Sequence, residues 1–256
     1  MNSLDPEAIC GASTQNQIYT PVERLDGVYE TRNVSEKWMH LSRYHMCARR
    51  LKTLANRVEK AQQRPLQILD IACGLGYGSK ILANSLGAQI KAIDLSPEAL
   101  EYAAKNHAHP NVELIQGTVL EIPAQNESFD VVVCYETIEH VDLEQAFLAL
   151  REFWRILRPG GVLYISTPNR YFTFLLQLMG MKNEFHFYEF RPEQLERFLT
   201  QHGFKVRARF GQTLAFPITY YLVRAGKLSP RLFFPKRQLP ASLCMIAIFE
   251  CEKSNR

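Results

Sequence analysis

Paired cysteines are absent from this chain. Its six cysteines stand singly at positions 10, 47, 73, 134, 244 and 251 with no CxxC pair, which argues against a disulfide framework and against a cysteine zinc site. No apolar run approaches the roughly 20 residues that span a bilayer. Met1 to Gly11 carries two acids and no apolar core segment, so it does not read as a secretory signal, and the expectation is a cytoplasmic protein. Internal repeats and low-complexity tracts are missing as well. A length of 256 residues suits one α/β domain with additions, long enough to bury roughly 70% of the unfolded surface. Acid is missing from one long stretch. Between Glu196 and Glu250 there is none, while Arg197, Lys205, Arg207, Arg209, Arg224, Lys227, Arg231, Lys236 and Arg237 supply nine bases. Formal net charge is only +4, so the rest of the chain is net acidic.

What is present begins with Ile68-Leu69-Asp70-Ile71-Ala72-Cys73-Gly74-Leu75-Gly76-Tyr77-Gly78: an apolar strand, an acid near its end and three alternate glycines. Glycines at 74, 76 and 78 let the backbone turn tightly and approach a ligand, and a helix following from Gly78 to Leu86 presents its unpaired N–H groups there. A second apolar strand ends on Asp94, about 20 residues after the glycines, where a nucleotide-binding α/β unit places its ribose-binding acid. Ser96-Pro97-Glu98 then supplies an N-cap, a proline at the first helical position and an acid in the first turn. Phe129 to Cys134 reads as a fully buried strand. Leu157 to Pro168 reads as a helix end, a tight turn and a further strand. Upstream, Trp38, Leu41, His45, Ala48, Leu51, Ala55 and Val58 follow helical spacing between Glu36 and Gln62, with Arg and Lys on the other face. A nicotinamide dehydrogenase shares strand, loop and distal acid, but its loop reads GxGxxG where this one reads GxGxG, and no YxxxK pair occurs.

From about Ile68 to Phe204 these motifs, in this order, resemble the class I S-adenosylmethionine-dependent methyltransferases. The segment Glu136-Thr137-Ile138-Glu139-His140-Val141 is most similar to the ubiquinone-biosynthesis O-methyltransferases, and also to the terminal 2'-O-methyltransferases of small RNAs. The resemblance implies a Rossmann-like, doubly wound seven-stranded sheet, mostly parallel with an antiparallel last strand and helices on both faces. It divides the chain into residues 1–64, an N-terminal segment with a helix covering the cofactor, and residues 65–256, the methyltransferase domain, with acceptor-side insertions near 168–190 and 212–240. Asp70 and the backbone of Ala72 and Gly74 would face the methionine end of the cofactor, Asp94 the ribose and Leu95 one adenine face. Cys73, Gly76, Tyr77, Gly78, Val119 and Tyr135 complete the implied cofactor site. Thr118 stands where many relatives carry an acid toward the adenine amine.

Glu136, Glu139 and His140 would share one face at i, i+3 and i+4 if a helix begins just after the fourth strand. The carboxyl end of that strand is where an α/β sheet binds ligands. In the resembled groups such residues, completed by a later one, accompany a divalent metal beside the acceptor. His186 matches the position of that later ligand, with Glu184 and Glu189 as alternatives. The implied metal ligands are therefore Glu136, Glu139, His140 and His186, with Mg²⁺ or Mn²⁺ as the ion. Without a metal, His140 is the leading general base and the two acids orient it. The acceptor expected is a small phenolic, isoprenoid or glycan hydroxyl, free or lipid-linked. RNA is the runner-up, and a non-catalytic cofactor-binding protein would be expected to have lost the loop glycines or Asp94. Phe216, Tyr220, Tyr221, Leu222, Leu232, Phe233 and Phe234 interleave the basic stretch, a mixture suited to peripheral contact with an anionic membrane, an anionic acceptor or RNA. Tyr171 to Met181 is too short to span a bilayer and suits a lid over an apolar acceptor.

Overall fold

The computed structural model describes residues 34–180, 185–215, 221–222, 225, 233–237 and 239–254. Residues 1–33, Met181 and Glu184 lie outside them, as do Phe216, Tyr220, Arg224, Lys227, Arg231 and Leu232 from the basic aromatic stretch. The described chain begins with α1 (Val34–Gln62) and alternates β1 (Gln67–Ile71), α2 (Tyr77–Leu86), β2 (Gln89–Asp94), α3 (Pro97–Asn106) and β3 (Val112–Gln116). Then come β4 (Phe129–Tyr135), a 3-10 turn at Ile138–His140, α4 (Leu143–Ile156), β5 (Leu157–Pro168), α5 (Arg170–Leu178), α6 (Pro192–Gln201), β6 (Phe204–Leu214) and β7 (Cys244–Lys253).

The seven strands form one sheet in the order β3-β2-β1-β4-β5-β7-β6. β1 to β5 pair in parallel, and β7 runs antiparallel between β5 and β6. Alternation of side chains along each strand sorts the sheet into two apolar layers. Leu69, Ile71, Ile93, Val132 and Cys134 face Ala146, Leu150 and Phe153 of α4 and Leu195 and Leu199 of α6. Ile68, Ile90, Ala92, Val131 and Val133 face Tyr44, Cys47 and Leu51 of α1 and Leu82 and Ala83 of α2. Both faces are thus covered by helices, and the strands need apolar residues at nearly every position, as the all-buried β4 shows with Asp130 its one charged residue. Cys47, Cys73, Cys134, Cys244 and Cys251 are all buried thiols. No helix among the described residues is long and apolar enough to cross a membrane.

Three local expectations are corrected. The turn expected between α4 and the next strand is absorbed into β5, whose pairing with β4 jumps from Leu157 to Val162 with Gly160 at φ 71°. Gln212 to Leu214, placed at the head of an insertion by the sequence, are the last residues of β6. The N-terminal half of α1 is not a helix with one solvated basic face: Ser42, Arg43, Tyr44, Met46, Cys47 and Ala48 are all buried. Ser42 Oγ donates to the Phe233 carbonyl at 2.7 Å, and Gln212 Nε2 donates to Ser42 Oγ and Phe233 O at 2.8 and 2.7 Å. Sheet edge and later loop close over α1 and make it core.

Candidate active site

At the carboxyl end of β1 the chain turns through Ala72, Gly74 and Gly76, at φ 53°, 53° and 76°. Gly76 caps α2 in the left-handed region, and a Cβ there would also meet the Ala103 Cβ at 2.7 Å. The turn is pinned from β2. Asp94 accepts from the Gly74 N–H at 2.7 Å and from the Ser96 N–H at 3.0 Å, so the acid at the end of β2 organises the loop at the end of β1. Burial raises the Asp94 pKa, and the N–H bonds from Ser96, Gly74 and Leu95 oppose that rise. Asp70 is fully buried and accepts from Ser79 Oγ at 2.6 Å and Tyr44 Oη at 3.2 Å. Burial, against those two hydrogen bonds, pushes its pKa up to about 7.

The second group of residues stands beside this loop, at the end of β4. There the backbone leaves the strand at Glu136 with φ 51°, a strained conformation for a side chain larger than glycine. The N–H of His140 closes a single 3-10 turn on the Thr137 carbonyl at 2.9 Å. Asp142 then starts α4 with a capping box to Gln145. Across the turn lies the segment from Phe185 to Glu189, docked by the N–H groups of Phe187 and Tyr188, which both donate to the Glu139 carbonyl, at 2.8 and 3.2 Å. Docking brings the His140 and His186 rings to 5.2 Å, edge to face. One ligand atom each of Glu139, His140 and His186 lies within 4.8 Å of the others.

The chemistry of these three groups suits a divalent cation. Glu139 is 1% exposed. Its Oε2 accepts from Thr167 Oγ1 at 3.3 Å, while Oε1 has no hydrogen-bond partner among the described residues. Burial, then the neighbouring Glu136, drives its pKa well above the usual carboxylate range. His140 Nδ1 sits 2.9 Å from the Phe185 carbonyl and His186 Nδ1 2.8 Å from Glu189 Oε1. Both partners are acceptors, so each neutral ring carries its proton on Nδ1 and its lone pair on Nε2, the arrangement of a metal-ligating imidazole.

The fold has counterparts among known proteins. The methyltransferase domain family matches residues 69–165. A probable S-adenosylmethionine-dependent methyltransferase of Mycolicibacterium smegmatis is 34% identical over 144 residues, 56% of this chain and 54% of that protein. A ubiquinone biosynthesis O-methyltransferase of Xanthomonas euvesicatoria pv. vesicatoria is 34% identical over 170 residues, 61% of this chain and 69% of that protein. This chain belongs to the class I S-adenosylmethionine-dependent methyltransferases. It spans about half the length of the mycobacterial relatives it matches. A methyltransferase crystal structure from Thermotoga maritima has the same fold, with a TM-score of 0.58 at 20% identity, covering 90% of this chain and 100% of that one.

Within this methyltransferase the residues named from sequence divide. Ala72, Cys73, Gly74, Gly76, Asp94 and Leu95 lie on the β1 and β2 loops, joined by Asp94. Gly78 is also required by packing. A Cβ there would stand 2.1 to 2.5 Å from three Tyr44 ring atoms, so its missing side chain makes room for α1. Thr118 Oγ1 accepts from the Leu120 N–H at 3.3 Å and serves its own turn, beside the nearly buried Val119. Tyr77 and Tyr135 each stack edge-on against Tyr44, at 5.9 and 5.2 Å. Glu136, Glu139 and His140 share no helix face, because a 3-10 turn replaces the expected helix. Glu136 stands apart from the cluster of three, accepting from Ser166 Oγ at 2.7 Å and pairing with Arg43 Nη1 at 3.1 Å.

Arg43 is the residue the sequence did not announce. It is 2% exposed, bonds His40 Nδ1 through Nη2 at 3.0 Å, and links α1 to the start of the acceptor side through Glu136. Nothing in its neighbours Leu41-Ser42-Arg43-Tyr44-His45 sets it apart from the other bases of the helix.

Proposed function

We propose that this methyltransferase transfers the methyl group of S-adenosylmethionine to the hydroxyl oxygen of a small phenolic, isoprenoid or glycan acceptor, with a divalent ion held by Glu139, His140 and His186. The observation that carries the reading is the convergence of those three side chains, with a buried carboxylate oxygen that has no partner among the described residues, at the carboxyl end of β4 beside the glycine loop. Such a mixed carboxylate and imidazole set is acceptable to Mn²⁺, Fe²⁺ or Zn²⁺ and less ideal for Mg²⁺. Oxygen as the acceptor atom is supported by the name of the Xanthomonas relatives.

The chemistry asked of the chain is an in-line displacement at a sulfonium carbon, which positioning favours strongly. The backbone of the glycine loop and the N-terminus of α2 hold the donor, and Asp94 fixes the loop that does so. On the other side, Glu136 is anchored by Arg43 and Ser166, while Glu139 and His140 face the space where the acceptor oxygen would stand. A bound divalent ion would lower the pKa of a neighbouring hydroxyl toward neutrality. With Nε2 on the ion and the Nδ1 proton on the Phe185 carbonyl, His140 has no lone pair left, so the proton that the hydroxyl loses passes to solvent; without the ion, His140 Nε2 accepts it.

The test is turnover of catechol-like acceptors with and without chelator. Activity should vanish in excess chelator and return with Mn²⁺ or Mg²⁺, and Glu139→Ala should abolish that rescue while S-adenosylhomocysteine affinity stays within a few fold. Full activity in chelator would remove the metal and leave His140 as a metal-free base. Salt-dependent, tight binding of short RNA without turnover of catechols would move the acceptor to RNA.

A further inference from the structure

His186 is held by a carboxylate that is itself held from another helix. Glu189 is buried, its side chain 4% exposed, and its two oxygens face different ways. Oε1 accepts from His186 Nδ1 at 2.8 Å. Oε2 accepts from Arg170 Nη1 at 2.8 Å and from Thr173 Oγ1 at 2.6 Å, both on the first turn of α5. The Arg170 N–H also donates to the Phe190 carbonyl at 3.0 Å, so α5 and the segment around Glu189 form one unit. The His140 ring, by contrast, has a neutral carbonyl on Nδ1.

From this division of its oxygens we infer that Glu189 is the positioning residue of the acceptor site: it fixes the tautomer and ring orientation of His186 and is not itself a ligand. The inference rests on the proposed metal site for its consequence and on the hydrogen-bond geometry for its cause. A carboxylate on Nδ1–H locks the lone pair on Nε2 and makes the ring a stronger donor, and loss of such an outer partner costs 10- to 100-fold in metal affinity in known sites. Oε2 is engaged by Arg170 and Thr173 and Oε1 by His186, and Glu189 is not among the three groups whose ligand atoms converge. The two anchors on α5 keep the carboxylate from rotating toward the cluster.

The experiment pairs calorimetric Mn²⁺ titration of the metal-free protein with nitrogen NMR of His186. Glu189→Gln is expected to weaken Mn²⁺ binding about 10- to 100-fold and to turn the single Nδ1–H tautomer of His186 into a mixture. The double variant Glu189→Gln, His186→Ala should bind no more weakly than His186→Ala alone, since Glu189 acts only through His186. Thr173→Val keeps the carboxylate and removes one anchor, and should move both readouts the same way by less. It covers the case in which Glu189→Gln does not fold. Unchanged His186 resonances in Glu189→Gln would overturn the inference. So would a further tenfold loss in the double variant, which would make Glu189 a ligand. If the wild-type protein takes up no Mn²⁺ the proposed metal fails, and the tautomer of His186 alone decides for or against Glu189.

Discussion

Adding one methyl group at Gly78 is the sharpest test of how α1 meets the cofactor loop. An alanine Cβ would lie 2.1, 2.3 and 2.5 Å from three carbons of the Tyr44 ring, where carbon atoms normally rest about 3.5 to 4.0 Å apart. The ring must therefore retreat by more than an ångström. It cannot do so freely, because Tyr44 is 6% exposed, its hydroxyl bonds Asp70 at 3.2 Å, and Tyr77 and Tyr135 flank it. Overpacking of this kind costs about 1–3 kcal/mol, and loss of the Asp70 hydrogen bond adds about 1 kcal/mol. A total of about 2–4 kcal/mol lowers the thermal midpoint of a chain this size by about 5–15 °C. Thermal and urea unfolding of Gly78→Ala measure it, with S-adenosylhomocysteine titration alongside. In a Tyr44→Ala background the same substitution should cost far less, since the obstructing ring is gone. A wild-type midpoint for Gly78→Ala, combined with a large loss of ligand affinity, would refute the packing argument and restore Gly78 to close approach of the cofactor.

Asp70 makes stability depend on pH. Its ordinary pKa of 3.8 is pushed up to about 7 by burial, so the folded state binds a proton more tightly than the unfolded chain. Its contribution is fully present below about pH 4 and is lost as pH rises to 7. Denaturant midpoints of Asp70→Asn should lack that slope between pH 4 and 7 and exceed the wild type above it, and parallel curves for the two proteins would contradict this. Asp94→Ala removes the acceptor of two N–H groups, each such bond to a charged group being worth about 1.5–3 kcal/mol, and S-adenosylhomocysteine affinity should fall at least tenfold by calorimetry. Unchanged affinity would free the loop from dependence on Asp94. Arg43→Met strands Glu136, whose side chain is 22% exposed. The usual cost of breaking a buried pair, about 3–5 kcal/mol, shrinks accordingly to about 1–3 kcal/mol, and adding Glu136→Gln should recover part of it in unfolding assays.

Much of this architecture could be read from the residues because the chemistry is local there. A parallel strand covered on both sides needs a nearly unbroken apolar run, and Val131 to Tyr135 supplies one after Asp130. A helix that starts with Ser96-Pro97-Glu98 carries its own start signal, and Ser96 Oγ does accept from the Ala99 N–H at 3.1 Å. What could not be read depended on segments far apart. Helical spacing of Glu136, Glu139 and His140 suggested a shared face, but the strained backbone at Glu136 and the 3-10 turn after it separate the first acid from the other two. Arg43 looked like one more base on a basic helix, since its partners Glu136 and Tyr135 come from the distant end of β4. Glu189 read as an alternative ligand to His186. Only the position of α5 shows that Arg170 and Thr173 hold its Oε2 while Oε1 holds His186.

The acceptor side closes through two adjacent amides that converge on one atom. Phe187 and Tyr188 both donate to the Glu139 carbonyl, and this contact carries His186 and the Phe185 carbonyl into place together. Undocking would expose those two amide protons to water and separate the cluster in the same movement. Their hydrogen-exchange rates thus count how often the site opens, and can be followed in a protein that has neither acceptor nor cofactor bound.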